Sequence, residues 1–303
     1  MNIIFGPVYS RRFGKSLGID LSPGKKQCNF DCLYCELDSA KTVSTYDEVI
    51  SVDKVMGALK KSLDEHHEID FITLTANGEP TLYPYLSELI DAIDQIKGDT
   101  KILILSNGST ISDPAVREAL AKLDMVKLSL DCATDRCLHR LDRSHQGITI
   151  AAIKDGMLTF KESYKGPLII ETLFVKTLND KPEEIAQLND FFLKLEPARI
   201  DIGTIDRPPA YEVKPLSYEE LREITHIFDP SLPVYIASRK HVTSRPERYT
   251  SSEILQTLSK RPLSPEDIEI LFDTESQKTL QTLQSEGKII IKETNGVKFY
   301  TLA

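Results

Sequence analysis

The chain has no tryptophan and only five cysteines among its 303 residues. It also has no uninterrupted apolar run near the roughly 20 residues that a membrane-spanning helix needs. The first eight residues lack the basic and then apolar pattern of a signal peptide. Three of the five cysteines fall within eight residues, which argues against the disulfide framework of a secreted protein and for a reducing compartment. We therefore expect a cytoplasmic protein that makes no membrane contact.

An excess of positive charge is also lacking. The formal net charge is −9, so the chain as a whole creates no field that attracts nucleic acid, and any RNA contact must come from local patches. The composition, with 41% hydrophobic and 27% charged residues, is ordinary for a globular protein. The length allows one large domain or two.

The most informative stretch is a cysteine motif at residues 28–35. Cys28, Cys32 and Cys35 follow a C-x3-C-x2-C spacing, and Tyr34 stands directly before the third cysteine. Three thiolates at this spacing suit three irons of a [4Fe-4S] cube and leave the fourth iron open to a small molecule. Two other interpretations compete with this one. The cysteines could simply pack as small apolar side chains, or they could bind zinc, although no further His or Cys follows in the loop as a fourth ligand.

The motif resembles that of the radical S-adenosylmethionine (SAM) superfamily, in which the open iron chelates SAM and the reduced cluster cleaves it to a 5′-deoxyadenosyl radical. The preceding residues 6–20, GPVYSRRFGKSLGID, resemble a bacterial and archaeal subgroup allied to wyosine-tRNA synthetases. The resemblance covers about residues 1–240. It implies two cofactors, a [4Fe-4S] cluster and SAM, and an electron donor such as flavodoxin or ferredoxin.

Beyond the cysteines, strand-like and helix-like patterns alternate. Apolar and β-branched runs predict strands at 70–75, 101–105, 125–130, 168–175 and 199–204, and helical periodicity predicts helices at 52–63, 86–96, 113 onwards, 149–164, 182–195 and 217–228. Such alternation is typical of βαβ units and a parallel sheet. With the region before the cysteines as a first strand there are six units. This number suits an α/β fold of the kind that the resemblance implies, a partial (β/α)6 barrel over residues 1–238.

The pattern changes near residue 239. Residues 239–250 are polar and without periodicity, which predicts a linker. Residues 251–303 predict a winged helix, with short helices at 252–258, 265–272 and 275–284 and a hairpin of 288–292 and 297–300 around Asn295-Gly296. From residue 247 onwards there are nine acidic and seven basic residues. Because phosphate neutralisation dominates nucleic-acid affinity, a protein-contact or lid role stands beside an RNA role.

Polar residues at the strand ends are the candidate SAM ligands, because ligands of parallel sheets and barrels bind where the strands end. The sequence Ala76-Asn77-Gly78-Glu79 resembles the superfamily motif that holds the SAM amino group, with Asn77 in place of its first glycine. Tyr34 is expected to pack on the adenine or to shield the cluster. The resemblance places the SAM carboxylate and ribose near Ser106, Asn107, Ser129 and Asp131. Each of these residues also fits a turn or a helix cap.

Several charged residues point to a substrate. Arginine binds phosphate and carboxylate bidentately, so arginines near one end of the barrel suit an anionic substrate; the alternative is ordinary ion pairs at the surface. Glu171 falls inside a predicted strand, where it either faces the lumen as a ligand or pairs with a nearby Arg. The candidate substrate residues are Arg11, Arg12, Arg140, Arg143, Glu171, Asp206 and Arg207.

The two remaining cysteines, Cys132 and Cys137, have several possible roles. They could ligate part of a second cluster, act as a thiol donor, form a redox pair or simply pack in the core. A second cluster needs a further ligand, and the sequence has no third free cysteine for it.

The resemblance implies a radical SAM enzyme, and tRNA base modification is the first expectation for its substrate. The rivals are radical modification of a peptide or protein, with the winged helix as a docking module, and rearrangement of a small molecule. A non-catalytic regulator that senses SAM or redox state through the cluster is a different class. It would need a basic recognition face, whereas the helix predicted at 265–272 is acidic.

Overall fold

An eight-stranded sheet forms the body of the protein in a computed structural model that describes residues 3–10, 14–236, 246, 248–260, 262–294 and 297–303. The strands are hydrogen-bonded in chain order, β1 to β8. They are β1 Ile4–Ser10, β2 Gly14–Asp20, β3 Phe71–Thr75, β4 Lys101–Ser106, β5 Met125–Ser129, β6 Leu168–Phe174, β7 Arg199–Thr204 and β8 Val234–Ile236. The pair β1–β2 is antiparallel and all later pairs are parallel.

Helices connect the parallel strands. They are α1 Val52–Glu65, α2 Leu86–Asp94, α3 Pro114–Leu120, α4 Asp135–Leu141, α5 Ile150–Ser163, α6 Pro182–Leu195 and α7 Tyr218–Thr225. Side-chain caps fix several of their starts: the Ser51 hydroxyl accepts from the Lys54 amide, and Ser217 and Glu220 form a reciprocal capping box. The α/β class is therefore confirmed. The six predicted strands correspond to β2 to β7, and β8 extends the parallel run to seven strands.

The strands have one apolar and one mixed face. Residues such as Ile72, Ile104 and Leu128 are fully buried, and they belong to the same core cluster as the apolar sides of the helices. Residues that alternate with them along the strands include polar ones; Ser16 and Thr73, for example, share a 2.6 Å hydrogen bond between β2 and β3. This mixed face is the lumen of the partial barrel, and it gives the fold an interior that can hold polar groups.

The C-terminal residues form a smaller unit with its own hydrophobic cluster. Its elements are α8 Ser251–Lys260, α9 Pro265–Leu271, α10 Thr274–Ser285, β9 Ile289–Thr294 and β10 Val297–Leu302. The winged-helix assignment and the domain boundaries stay predictions, and the Asn295-Gly296 turn lies outside the described residues. Tyr249, in the range predicted as linker, packs against Phe272 in the core of this unit.

The C-terminal unit covers the edge strand β1. The Gln256 amide donates to the Ile4 carbonyl at 2.5 Å, and the Tyr249 hydroxyl donates to the Pro7 carbonyl at 2.5 Å. Both bonds use backbone groups of β1, whose outer edge would otherwise offer unpaired carbonyls. The unit therefore covers part of the exposed edge of the sheet at β1. In the described part of the chain, no helix is both long enough and apolar enough to cross a membrane.

Three elements were not predicted. Strands β1 and β8 lie at the two edges of the sheet, where the sequence need not show the apolar run of a central strand. Helix α4 has only seven residues and begins at the Thr134 cap, so it is too short to show helical periodicity.

Candidate active site

The cysteine loop, residues 28–35, is held on one side by the end of β3. Gln27 donates its amide to the Asn77 carbonyl at 2.9 Å, and Glu79 donates its amide to the Gln27 carbonyl at 3.0 Å. Gly78, between these residues, has a φ of 141°. A Cβ atom on Gly78 would overlap the Gln27 carbonyl. Glycine is therefore required for the chain before the cysteines to approach β3 this closely.

Two further supports hold the loop itself. Asp31 and Leu33 donate their amides to the carbonyls of Asp142 and Leu141 at 3.0 and 2.9 Å, at the end of α4. From the loop after β7, Ala210 donates its amide to the Cys35 carbonyl at 2.8 Å. The cysteine loop is thus fixed at the carboxyl edge of the sheet by segments that follow β3, β5 and β7.

All three loop cysteines are free of disulfides. The Phe30 amide and the Asn107 side-chain amide lie 3.4 and 3.7 Å from the Cys28 sulfur, and the Lys26 ammonium lies 3.7 Å from the Cys35 sulfur. N–H donors directed at cysteine sulfur stabilise its thiolate form and tune bound clusters. The loop and its surroundings therefore already provide donors for negatively charged sulfur.

The spacing of these sulfurs separates a cluster from a single ion. Among the described residues, the group of metal-ligand atoms found within 4.8 Å of one another is Cys132, Cys137 and Glu184, and the loop cysteines form no such group. A single tetrahedral zinc with 2.3 Å bonds brings its sulfurs to about 3.8 Å from one another. In this structure the three loop sulfurs are therefore too far apart to share a single tetrahedral zinc ion.

Burial dominates the acidity of the loop thiols. It raises the pKa of Cys28 to about 12, and it raises the pKa values of Cys32 and Cys35 as well. The thiols therefore carry protons at neutral pH until metal displaces them.

Glu79 joins the ends of β3 and β4. Its side chain is 1% exposed. One carboxylate oxygen accepts from the Thr81 amide at 3.0 Å, the Thr81 hydroxyl at 2.6 Å and the Ser106 hydroxyl at 2.7 Å, and the other accepts from the Asn107 amide at 2.7 Å. Burial raises the pKa of Glu79, whereas these hydrogen bonds oppose the rise. The carboxylate thus positions Ser106 and Asn107 with all four bonds inside the protein.

Asn107 connects the hydrogen bonds of Glu79 to the cysteine loop. Its side-chain amide donates to the side-chain oxygen Oδ1 of Asn29 at 2.9 Å and lies beside Cys28. Its own side-chain oxygen accepts from the Ser109 amide at 3.0 Å. The end of β4 is therefore in direct contact with the loop.

The end of β5 contacts the loop through Asp131. Its carboxylate accepts short hydrogen bonds from the Tyr34 hydroxyl and, at 2.7 Å, from the Leu173 amide. Burial raises the pKa of Asp131 to about 7. A narrow cavity of about 10 Å³ runs past Tyr34, Asn107, Ser129 and Asp131. The structure thus brings together predicted residues from the loop, β4 and β5.

Two of the predicted substrate arginines are paired within the site. The Arg143 guanidinium lies 3.5 Å from the Asp31 carboxylate and 4.8 Å above the Tyr211 ring, and the Tyr211 hydroxyl donates to Asp31 at 2.5 Å. Arg207 lies 3.2 Å from Glu36. Their charges are thus balanced by acids on or next to the cysteine loop.

The surroundings of Arg207 explain its charge. Burial opposes its protonation, but the carboxylates of Glu36 and Asp206 outweigh burial and raise the pKa of the guanidinium. Arg140, by contrast, is exposed on α4. Arg11 and Arg12 lie outside the described residues.

Glu171 faces the lumen and pairs with a lysine. The Lys127 ammonium on β5 lies 2.6 Å from Glu171 on β6 and 3.6 Å from Asp201 on β7, and Asp201 also pairs with Arg199 at 2.6 Å. The side chains of Lys127 and Asp201 are 6% and 0% exposed, whereas that of Glu171 is 36% exposed. Sequence reasoning missed Lys127 and Asp201, although each is a charge inside an apolar strand run, which is the same signal that singled out Glu171.

Cys132 and Cys137 are joined by a disulfide. Both are buried, and the Glu184 carboxylate lies within 4.8 Å of both sulfurs. Of the roles that the sequence left open, this arrangement favours a redox pair or a structural link.

A cysteine loop at the carboxyl edge of a partial β/α barrel, with strand ends converging on it, defines a cluster-dependent class of enzymes. A family model of the radical SAM superfamily matches residues 25–188. The chain belongs to the radical SAM superfamily, whose members use a [4Fe-4S] cluster and SAM. The prediction of a radical SAM enzyme with a partial barrel is therefore confirmed.

Several curated relatives match nearly the whole chain, and two of them are UPF0026 proteins of different organisms. A UPF0026 protein of Helicobacter pylori strain J99 is 41% identical over 302 residues, covering 98% of this chain and 97% of the relative. A UPF0026 protein of Methanocaldococcus jannaschii is 31% identical over 318 residues, covering 99% and 96%. A radical SAM methyltransferase from Sphaerobacter thermophilus has a similar fold, with a TM-score of 0.56 and 15% identity over 74% of this chain and 67% of its own.

Proposed function

We propose that the chain cleaves SAM at a [4Fe-4S] cluster on Cys28, Cys32 and Cys35 and removes a hydrogen atom from a substrate in the barrel lumen. The observation that carries this proposal is a set of three disulfide-free cysteines held at the carboxyl edge of the sheet by three separate supports, with N–H donors on the sulfurs of Cys28 and Cys35. When bound, the cluster supplies the electron that cleaves SAM to a 5′-deoxyadenosyl radical.

The residues around the cysteines would orient SAM. Ser129 and Asp131 at the β5 end suit the ribose hydroxyls, and Tyr34 shields this side of the loop from water. Ala76, Asn77 and Gly78 offer backbone groups for the SAM amino group, although the Asn77 carbonyl already accepts from Gln27. We assign Glu79 to positioning Ser106 and Asn107, because its own oxygens are occupied by bonds inside the protein.

The lumen below this site would receive the substrate. Lys127 lies between Glu171 and Asp201, and Glu171 is the most exposed of the three, at 36%. The Glu171 carboxylate therefore faces the lumen as a charged acceptor for a group that donates hydrogen bonds. A buried lysine with two carboxylates is costly to desolvate and contributes little net stability. Such a network in a lumen is therefore better explained by substrate binding than by folding.

For the substrate we propose a tRNA base, with a flavodoxin or ferredoxin as electron donor. The support is the resemblance of residues 6–20 and the exposed Arg140 beside the loop. Arg143 and Arg207 are already paired with carboxylates, so they offer less to the tRNA phosphates than two unpaired arginines would. In this proposal a base amino group donates to the Glu171 carboxylate instead. In this proposal the C-terminal winged helix contacts the tRNA or acts as a lid.

The test is anaerobic reconstitution with iron and sulfide, followed by dithionite, SAM and quantification of 5′-deoxyadenosine. The Cys28→Ala/Cys32→Ala/Cys35→Ala variant should yield none, and its circular dichroism should match the parent apo-protein. If a parent protein loaded with four irons also yields none, the proposal of SAM cleavage is wrong.

The tRNA proposal is tested separately by adding total tRNA to the same assay. Stimulation that falls by at least about tenfold between 50 and 200 mM salt would support it, because phosphate contacts weaken steeply with salt. No stimulation at low salt would contradict it and would favour a peptide or small-molecule substrate.

A further inference from the structure

The disulfide between Cys132 and Cys137 links two supports of the cysteine loop. Cys132 directly follows Asp131, whose carboxylate accepts from Tyr34 in the loop. The Cys132 side chain also lines the narrow cavity beside Tyr34. One end of the disulfide is therefore next to the contact between β5 and the loop.

The other end lies in α4. Cys137 is in the first turn of this helix, and the carbonyls of Leu141 and Asp142 at its far end accept from Leu33 and Asp31 of the loop. Because α4 has seven residues, it transmits a displacement at Cys137 to those carbonyls as a rigid body. The disulfide thus holds the loop's α4 support against its β5 support.

A carboxylate keeps the two cysteines close to each other. Glu184 on α6 accepts from the amides of Ala133 and Thr134 at 2.5 and 3.0 Å, and these residues lie between the cysteines in sequence. The backbone turn that juxtaposes the sulfurs is therefore held by bonds that do not involve sulfur. After reduction the thiols would remain near each other, which favours reversible closure.

We propose that Cys132 and Cys137 form a reversible dithiol–disulfide switch that sets how firmly the cysteine loop is held. On oxidation each thiol loses a proton and an electron, the sulfur–sulfur bond forms, and the two electrons reduce glutathione disulfide to two glutathione thiols. The oxidised form holds α4, and with it the amides of Asp31 and Leu33, in place when the cluster is absent. In the reduced form this covalent link is absent, so α4 and the loop are held only by noncovalent contacts and fluctuate more about the same position.

The location of such a pair supports a switch over a permanent link. In a reducing cytoplasm, the compartment that the sequence predicts, disulfides of mesophilic proteins are usually transient and redox-sensing. The three cluster cysteines stay free while this pair is closed. In this proposal, oxidation of Cys132 and Cys137 holds α4 and the cysteine loop in place while the three cluster cysteines remain thiols.

The test uses full-length protein with Cys28→Ser, Cys32→Ser and Cys35→Ser, so that only the pair can form a disulfide. It is equilibrated for many hours in glutathione buffers of increasing oxidised fraction, because both sulfurs are buried and exchange is slow. Alkylation and mass spectrometry then count the thiols. Hydrogen exchange is measured on the same samples, and the amides of Asp31 and Leu33 should exchange on the order of tenfold more slowly in the oxidised form.

A matched protein that also carries Cys132→Ser and Cys137→Ser should show no dependence on the glutathione ratio. Two results would overturn the proposal. One is a pair that stays entirely thiol or entirely disulfide across all buffers. The other is a pair that switches while the loop amides exchange at the same rate in both forms. Neither result bears on SAM cleavage by the parent protein, so the two proposals fail independently.

Discussion

Replacing Gly78 with alanine should dislodge the cysteine loop from the sheet. The new Cβ would overlap the carbonyl of Gln27 and lie 3.0 Å from its nitrogen, and both are backbone atoms that cannot rotate away. This overlap is removed only if the backbone of Gln27 moves, and that movement breaks its hydrogen bonds with Asn77 and Glu79. Cys28 follows Gln27 directly, so the first cluster ligand must move with it.

The loss of stability in Gly78→Ala is the sum of a hydrogen-bond cost and a backbone-strain cost. Two backbone hydrogen bonds are worth about 1 kcal/mol each in net stability. A non-glycine residue at a φ of 141° costs on the order of 1–3 kcal/mol. Together these costs come to about 3–5 kcal/mol. Because the chain will relax partly, we expect the free energy of unfolding to fall by about 3 kcal/mol, near the lower end of that range. The larger consequence is for cluster binding, because a displaced Cys28 leaves two ligands in place.

The assay is urea unfolding of the apo-protein together with iron and sulfide analysis after reconstitution. Gly57→Ala is the matched control, because Gly57 lies in α1 and a Cβ there meets nothing within 4 Å. It should stabilise the protein by about 0.5–1 kcal/mol and leave iron binding unchanged. A Gly78→Ala protein with parental stability and a full complement of iron would refute the role assigned to this glycine.

Three further changes test other parts of the site. Glu79→Gln should lower the unfolding free energy by about 1–3 kcal/mol, because one buried donor then meets an N–H instead of an oxygen. The control Glu88→Gln, at an exposed position, should change it little. Equal effects of the two substitutions in urea titrations would contradict the four hydrogen bonds assigned to Glu79. Lys127→Met should cost about 3 kcal/mol because it leaves Asp201 and Glu171 with fewer partners, whereas Lys122→Met, which breaks an exposed pair with Asp91, should cost below about 1 kcal/mol. Burial raises the pKa of Asp131 to about 7, whereas an aspartate in an unfolded chain has a pKa near 3.9. Between about pH 4 and 7 the folded apo-protein therefore holds a proton on Asp131 that the unfolded chain has lost. The contribution of Asp131 to the free energy of unfolding falls as the pH rises through this window. Asp131→Asn should therefore flatten the pH dependence of urea unfolding in that window, and an unchanged slope would show that Asp131 does not titrate there.

The sequence was most informative where the physics is local. The apolar strand runs and the capped helices of the parallel sheet could be predicted because each depends on residues that are neighbours along the chain. Helix α6 was predicted with its observed bounds, since Pro182 marks its first turn and its apolar positions repeat at helical spacing. The cysteine motif likewise carries its chemistry within eight residues.

The supports of the loop could not be predicted in the same way. Tyr211 meets Asp31 across 180 positions and Asp142 meets it across more than 100, and no spacing rule connects residues so far apart. Glu79 shows a subtler limit. Its place in a known motif suggested a ligand of SAM, but the number of donors around its carboxylate became visible only in three dimensions.

The positive charges near the cysteines have a common physical role. Lys26 lies 3.7 Å from the Cys35 sulfur and 3.5 Å from Asp31, with Arg143 on the other oxygen of Asp31 and Arg207 on Glu36. A cluster on three thiolates adds negative charge to a site that already contains these two acids. The surrounding cations offset that charge, and net charge near a cluster is one of the main determinants of its reduction potential. Arginines that the sequence suggested for phosphate binding are therefore better explained by the electrostatics of the cluster. A polyanionic substrate would have to compete with Asp31 and Glu36 for these arginines. The tRNA proposal therefore depends on Arg140, on the lumen and on the outcome of the salt titration.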